Sequence, residues 1–130
     1  MPRTFIHSTL LVPLKKEELA WAAGFFDGEG CVSARERDDS AKIEINIGQA
    51  NSPETLIRFK NAVGGIGKIG GPYPPKRNSN HSPYFKYWAT SFERVQFIAG
   101  CLWPFLCSVK RGQFYDTLDF YLWELRKGSA

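Results

Sequence analysis

Two carboxylates stand close together where an apolar stretch of the chain ends, in the order Asp27-Gly28-Glu29-Gly30. The residues before them, from Leu19 onward, are small or apolar and predict a helix that ends at these acids. A helix terminus of this kind can present carboxylate oxygens to a hard divalent cation. The simpler interpretation is an ordinary buried helix that is terminated by glycine.

The same helix carries small residues at a regular spacing. Ala20, Gly24 and Gly28 recur at every fourth position and therefore share one helix face. Each glycine costs a helix roughly 1 kcal/mol, so we expect this face to allow the close approach of a second helix. Apolar residues fill the other directions and predict that the helix is buried almost all round: Leu19, Ala22, Ala23, Phe25 and Phe26.

Length, charge and cysteine content narrow the class of protein. A chain of 130 residues predicts one domain over residues 1–130, with an N-terminal arm at 1–13 and a tail at 126–130. The net charge of +4 favours a polyanionic partner. Three cysteines without metal-finger spacing predict reduced thiols and an intracellular setting. The apolar runs of the sequence are too short for a signal peptide or a membrane span, so neither is expected. His7 and His81 are isolated, which argues against a zinc site or a histidine-based triad.

Hydrophobic periodicity predicts the elements that position these residues. Helices are expected at about 14–27, from Ser52-Pro53 to Gly64-Gly65, from Ser91 to about 103, and from Ser108 onward through Phe114. Strands are expected at about 31–37, 42–48, 66–72 and 83–90, with a turn at 38–40 and a loop at 72–82. The resulting α-β-β-α-β-β-α-α order favours an α+β domain with an antiparallel sheet and helices on one face.

The sheet face away from the helices is expected to be polar. Arg and Lys contact guanine or phosphate and Asn contacts adenine, so these residue types suit a surface that binds nucleic acid. A merely solvated face has much the same composition, and both interpretations stay open. The candidates for DNA binding on this face and in the adjoining loop are Ser33, Arg35, Arg37, Lys42, Glu44, Asn46, Lys68, Arg77 and Lys86.

The segment from Ala22 to Gly30 resembles the LAGLIDADG motif of the homing endonucleases, with Ala22 in place of leucine and Glu29 where many members have Asp. The resemblance extends through the element order to roughly residues 15–125. It implies the αββαββα fold of this family, in which a four-stranded antiparallel saddle-shaped sheet binds the DNA major groove. A single motif in the chain implies a homodimer whose two copies pack through Ala20, Gly24 and Gly28.

The same resemblance assigns four roles among five residues. It implies that Glu29 binds the catalytic metal, Mg²⁺ with Mn²⁺ or Ca²⁺ as substitutes in binding, and that Asp27 supports the helix end. Gln49 would orient the attacking water. Either Lys110 or Arg111 would stabilise the developing negative charge, with Lys110 favoured.

The function implied is a homodimeric homing endonuclease, which mobilises an intron or intein. It would cut both strands of a long pseudo-palindromic duplex by metal-dependent hydrolysis and leave 3′ overhangs, with no membrane or small-molecule cofactor involved. One alternative is a non-cleaving nucleic-acid binder on the same fold, either a transcription regulator or an RNA maturase. Another is an α+β interaction domain whose small-residue helix serves only dimerisation.

Overall fold

The computed structural model describes residues 11–37, 40–75 and 82–129. Most of the predicted arm, the turn at Asp38-Asp39, His7, His81 and Arg77 lie outside these ranges. The elements are α1 (Lys16–Glu29), β1 (Gly30–Arg37), β2 (Ser40–Ala50), α2 (Glu54–Ala62), β3 (Lys68–Tyr73), β4 (Tyr84–Thr90), α3 (Phe92–Leu102), a 3-10 turn (Trp103–Phe105) and α4 (Ser108–Ser129). This order confirms the predicted one. None of the helices in the described ranges is long and apolar enough to cross a membrane.

The four strands form one antiparallel sheet in the order β1-β2-β4-β3. Side chains alternate between its two faces, as the pattern of β2 predicts. Ile43, Ile45 and Ile47 are buried under the helices, while the residues between them face outward. The predicted α+β class with a four-stranded antiparallel sheet is therefore confirmed.

Aromatic rings join the helices to the sheet in the core. Phe26 of α1 is fully buried and lies 5.2 Å from Phe114 of α4 and 6.2 Å from Phe59 of α2, measured between ring centroids. Burying a side chain of this size contributes about 1.5–3 kcal/mol. Gly30 begins β1 directly against the Phe26 ring, and a side chain there would overlap that ring. The final glycine of the motif thus lets the chain turn from α1 into β1 over the core.

Several boundaries and faces differ from those expected. α1 is buried on one side only, at Ala22, Ala23 and Phe26, while Ala20, Gly24 and Gly28 are exposed. The expectation of burial all round is wrong because α2, α3 and the 3-10 turn cover only part of the helix. α2 begins at Glu54, whose backbone N–H donates to Ser52 Oγ, so Pro53 precedes the helix.

Three apolar side chains on two of the helices are exposed. Ile57 of α2 is 48% exposed, and Leu122 and Leu125 in the second half of α4 are 40% and 44% exposed. The first half of α4 packs on the core through the fully buried Phe114. In the second half, Tyr121 still stacks on Phe92 of α3, while Leu122 and Leu125 present apolar surface to the outside.

Candidate functional site

The C-terminal end of α1 holds the principal candidate residue. Glu29 is the last residue of the helix and is exposed, so its carboxylate is accessible. Gln49 lies near the end of β2 and donates a hydrogen bond from Nε2 to Glu29 Oε1 at 3.2 Å. Two residues that are 20 positions apart in the chain thus meet at one edge of the sheet.

A lysine from the first turn of α4 reaches the same point. Lys110 is half-buried and donates from Nζ to the carbonyl oxygen of Gly30 at 2.7 Å, and its Nζ lies 5.7 Å from the centroid of the Phe26 ring. The ammonium group therefore lies at the Gly30–Cys31 peptide, one residue beyond Glu29. The C-terminal end of a helix carries partial negative charge, which favours a cation there.

The neighbouring arginine is directed elsewhere. Arg111 donates from Nε to the carbonyl of Trp103 at 3.0 Å and from Nη2 to the carbonyl of Pro104 at 3.4 Å. Its guanidinium also lies 5.7 Å from the Trp103 ring. Of the two basic residues that the sequence leaves in competition, Lys110 binds the carbonyl of Gly30, the residue after Glu29, and Arg111 binds the 3-10 turn.

The first acid of the motif has a structural environment. Both carboxylate oxygens of Asp27 accept the backbone N–H of Cys107, and the Cys107 carbonyl accepts the backbone N–H of Arg111 at 3.0 Å. Cys107 therefore caps the N-terminus of α4, and Asp27 holds that cap. This geometry agrees with the role in support of the helix end that the resemblance implies.

The donor set at Glu29 suits a hard cation only in part. No group of three or more His, Cys, Asp or Glu side chains able to hold a metal occurs in the described ranges. Glu29 offers one carboxylate in each chain, since Asp27 is occupied by Cys107. Mg²⁺ commonly takes one or two protein carboxylates and completes its shell with water and phosphate oxygens. Glu29 fits that pattern if a second chain and a nucleic acid supply the remaining ligands.

The small-residue stripe of α1 runs along the surface up to this site. Ala20, Gly24 and Gly28 are exposed, and a Cβ atom added at either glycine would have no neighbour within 4 Å. Gly28 directly precedes Glu29, so a helix packed on the stripe would end beside the carboxylate. Within residues 11–37, 40–75 and 82–129, no atom covers the two glycines of the stripe.

The outer face of the sheet, which lies opposite the helices, carries seven of the nine predicted DNA-binding residues. Cross-strand partners share a face, and Ser33 lies opposite Glu44, Arg35 opposite Lys42, and Lys68 opposite Trp88. The seven are Ser33, Arg35, Lys42, Glu44, Asn46, Lys68 and Lys86. Arg37 ends β1, but its side chain is outside the described set, as is all of Arg77.

The sequence-based site list omits an aromatic component of this face. Tyr73, Tyr84 and Trp88 line a cleft of about 310 Å³ together with Glu44 and Lys86. The rings of Tyr73 and Tyr84 lie 5.3 Å apart. Alternation along β4 already places Tyr84 and Trp88 on the outer face, which was the available signal. Tyr73 was not expected there because the predicted third strand ended at Pro72.

An ion pair on the other side of the molecule joins α1 to α2. Arg58 donates from Nε and Nη2 to the two carboxylate oxygens of Glu18, each at 2.9 Å, and its guanidinium lies 4.0 Å from the Trp21 ring. The hydrogen bonds from Arg58 lower the pKa of Glu18 below its usual value. The pair is exposed, so it contributes little to stability and serves mainly to orient α1.

Several solved structures of similar fold are homing endonucleases. The chain resembles the homing endonuclease I-CvuI with a TM-score of 0.64 and 23% identity, over 82% of this chain and 66% of that chain. It resembles the homing endonuclease I-TnaI with a TM-score of 0.63 and 18% identity, over 89% and 77% of the two chains. It resembles the LAGLIDADG meganuclease I-AabMI with a TM-score of 0.58 and 23% identity, over 74% of this chain and 33% of that chain.

No protein-family model and no curated protein matches the sequence. The similarities therefore rest on the comparison of structures. The chain spans about two thirds of I-CvuI and one third of I-AabMI. The I-CvuI structure is a complex with the I-CreI target in 2 mM Mg in which the DNA is not cleaved, and I-AabMI is bound to uncleaved DNA. The resemblance seen in the Ala22–Gly30 motif is confirmed at the level of the fold. The chain has the fold of the LAGLIDADG homing endonucleases.

Proposed function

We propose that this protein is a site-specific DNA endonuclease that acts as a homodimer and cuts both strands of a pseudo-palindromic duplex, leaving 3′ overhangs. The observation that carries the proposal is the convergence of Glu29, Gln49 and Lys110 at the end of α1. An acid, an amide and an ammonium group at one exposed point form a suitable set for hydrolysis of a phosphodiester.

Dimerisation is proposed from the exposed stripe of α1. Two copies of the helix can approach closely through Ala20, Gly24 and Gly28, since none of the described residues occupies the space over the glycines. A two-fold axis through this stripe would bring both Glu29 carboxylates together at the helix ends. Adjacent carboxylates repel each other, and a cation between them relieves that repulsion. A symmetric dimer implies a pseudo-palindromic target.

The outer face of the sheet is the proposed DNA surface. It presents Arg35, Lys42 and Lys68 as exposed cations, in a chain whose net charge is +4. Phosphate contacts by such side chains release counterions, so we expect binding to weaken steeply as salt increases. The similar structures support DNA binding in general, because I-CvuI, I-GzeII and I-CeuI were each solved in complex with DNA.

Each residue of the proposed catalytic site has a separate role in hydrolysis. Glu29 would hold a divalent cation, Mg²⁺ by preference, with Mn²⁺ or Ca²⁺ able to support binding. When bound, the cation supplies Lewis acidity toward the scissile phosphate. The Gln49 amide, held against Glu29, orients the attacking water. The Lys110 ammonium stabilises negative charge that develops on the phosphate oxygens in the transition state. Arg111 acts indirectly, by holding the 3-10 turn that precedes α4.

Cleavage of a randomised near-palindromic duplex library tests the proposal. Wild type and Glu29→Gln are incubated with Mg²⁺ and the cut ends are sequenced. We expect two-fold-related ends with 3′ overhangs from wild type and none from the variant. Glu29→Gln should still bind the selected duplex in Ca²⁺ and should retain its melting temperature, which shows that the fold is intact. Retained Mg²⁺-dependent cleavage by the variant contradicts the role of Glu29.

Two other results lead to different functions. Selective duplex binding without cutting would indicate a transcription regulator or an RNA maturase on the same fold. Weak binding without sequence preference at physiological salt would indicate an interaction domain in which α1 serves only dimerisation. A monomer in sedimentation, with and without DNA, would contradict the dimer.

A further inference from the structure

One carboxylate lies among the cations of the outer face. Glu44 is the single Asp or Glu on this face within the described strands. Phosphate oxygens would repel it, so its presence needs another reason than phosphate binding. Glu44 Oε2 accepts a hydrogen bond from Asn46 Nδ2 at 3.0 Å and lies 3.6 Å from Lys86 Nζ. Glu44 therefore organises two neighbouring side chains.

The first of these is Asn46, whose amide has a defined orientation. Only the nitrogen of an amide can donate, so the bond to Glu44 fixes which end of the Asn46 side chain points toward the carboxylate. One N–H and the Oδ1 atom of Asn46 remain for another partner. A donor next to an acceptor matches the N7 acceptor and N6 donor that adenine presents in the major groove.

The second is Lys86, which lies beside the aromatic cleft. Its cross-strand partners are Gly48 and Gly70, which have no side chains to cover it. Lys86 Nζ lies 5.9 Å from the centroid of the Trp88 ring, and Trp88 is the cross-strand partner of Asn46. An ammonium donor next to an apolar wall matches the O4 acceptor and the C5-methyl group of thymine.

We propose that this cluster, composed of Glu44, Asn46, Lys86 and Trp88, reads one A·T base pair through the major groove. Asn46 binds the adenine edge, while Lys86 and Trp88 contact the O4 atom and methyl group of the thymine. Glu44 is a positioning residue that holds Asn46 and Lys86 without touching a base. The inference rests on the proposed function, because it requires the sheet to bind duplex DNA.

Selection of duplexes by binding in Ca²⁺ tests the cluster without depending on cleavage. Wild type should require A·T at one position, repeated in both half-sites. Asn46→Ala should weaken that preference by roughly 5- to 150-fold and leave the other positions unchanged. The matched control is Lys42→Ala on the same face, which should lower the affinity for all sequences alike. Unchanged melting temperatures establish that both variants are folded.

Base analogues test individual atoms of the pair. Uracil in place of the thymine removes only the methyl group, and it should weaken binding by wild type but not further weaken binding by Trp88→Ala. 7-Deazaadenine removes the N7 acceptor and should affect wild type but not Asn46→Ala. Glu44→Gln can still accept from Asn46 and should keep the preference, whereas Glu44→Ala should relax it.

The outcomes separate this inference from the proposed function. Selective duplex binding with unchanged base preference in Asn46→Ala, or a uniform loss like that of Lys42→Ala, overturns the A·T reading alone. No selective duplex binding by wild type overturns both. Tighter binding to unpaired RNA than to duplex would mean that the aromatic cleft stacks bases, and it would also overturn the reading.

Discussion

Asp27 and Cys107 are linked by a hydrogen bond that joins the end of one helix to the beginning of another. The Cys107 backbone N–H lies 3.1 and 3.2 Å from the two carboxylate oxygens of Asp27. Lys110 follows three residues later, on the first turn of α4, and reaches the Gly30 carbonyl. The two acids of the motif thus differ in environment, since Asp27 anchors the helix that carries Lys110 and Glu29 remains exposed.

Removing this anchor should destabilise the protein. We expect Asp27→Ala to lower the free energy of unfolding by about 1 kcal/mol, because the Cys107 backbone N–H loses its acceptor and a hydrogen bond typically contributes about 0.5–1.5 kcal/mol. Asp27→Asn keeps one acceptor oxygen and should cost less. Urea denaturation gives both values, and an unchanged midpoint for Asp27→Ala would contradict the anchoring role.

Lys110 and Arg111 should respond differently to the same substitution. Lys110→Met should reduce the single-turnover cleavage rate by about 10²–10³-fold, the usual effect of removing one group that stabilises transition-state charge. Arg111→Met should leave the rate per folded molecule nearly unchanged, while destabilising the protein by about 1 kcal/mol through its lost hydrogen bonds to Trp103 and Pro104. A large loss of cleavage rate in Arg111→Met, with little loss in Lys110→Met, would instead assign the catalytic role to Arg111.

Substitution of Gly24 should separate folding from self-association. Gly24→Leu should favour α1 by roughly 0.5–1 kcal/mol, because leucine has a higher helix propensity than glycine and a Cβ atom at this position meets no atom of the described residues within 4 Å. The same side chain should block the proposed dimer, which sedimentation measures. Gly100 in α3 is the matched control, since it is also exposed with open space around it. Gly100→Leu should leave the dimer intact, and a dimeric Gly24→Leu would argue against the stripe.

The three cysteines offer a labelling experiment. Burial raises the pKa of Cys101 to about 11, so at pH 8 only about one molecule in a thousand carries the reactive thiolate. Its alkylation should be slow and should accelerate about tenfold for each pH unit up to about 11. Cys31 is exposed and lies opposite Asn46 on the outer face, so duplex DNA should protect it from alkylation. Mass spectrometry measures both rates, and an unprotected Cys31 would contradict DNA binding on this face.

Local patterns predicted the elements well. The alternation of Ile43, Ile45 and Ile47 identifies β2 because a strand with one buried face repeats every two residues. Ser91 identifies the start of α3, where its Oγ accepts the backbone N–H of Arg94. The pairing of Glu29 with Gln49 was not visible in periodicity, since the residues belong to different elements. The family resemblance assigned both residues to one catalytic site but did not predict the hydrogen bond between them.

Tertiary geometry decided what the sequence left open. Lys110 and Arg111 are consecutive on a helix, so their side chains point about 100° apart. A small error in the predicted start of α4 therefore assigns the direction of one side chain to the other. The exposure of Gly24 could not be predicted from its apolar neighbours, because it depends on which sides of α1 other helices cover. The assignment of Glu29, Gln49 and Lys110 to catalysis stays a prediction.

Each chain contributes one carboxylate, that of Glu29, which is exposed at the end of α1. Under the proposed dimer, one copy of the protein therefore builds half of a catalytic centre. At concentrations below the dimer dissociation constant, activity should rise with the square of the amount of protein. Such a nuclease would have almost no cleavage activity at low expression, and its activity would rise over a narrow range of protein concentration.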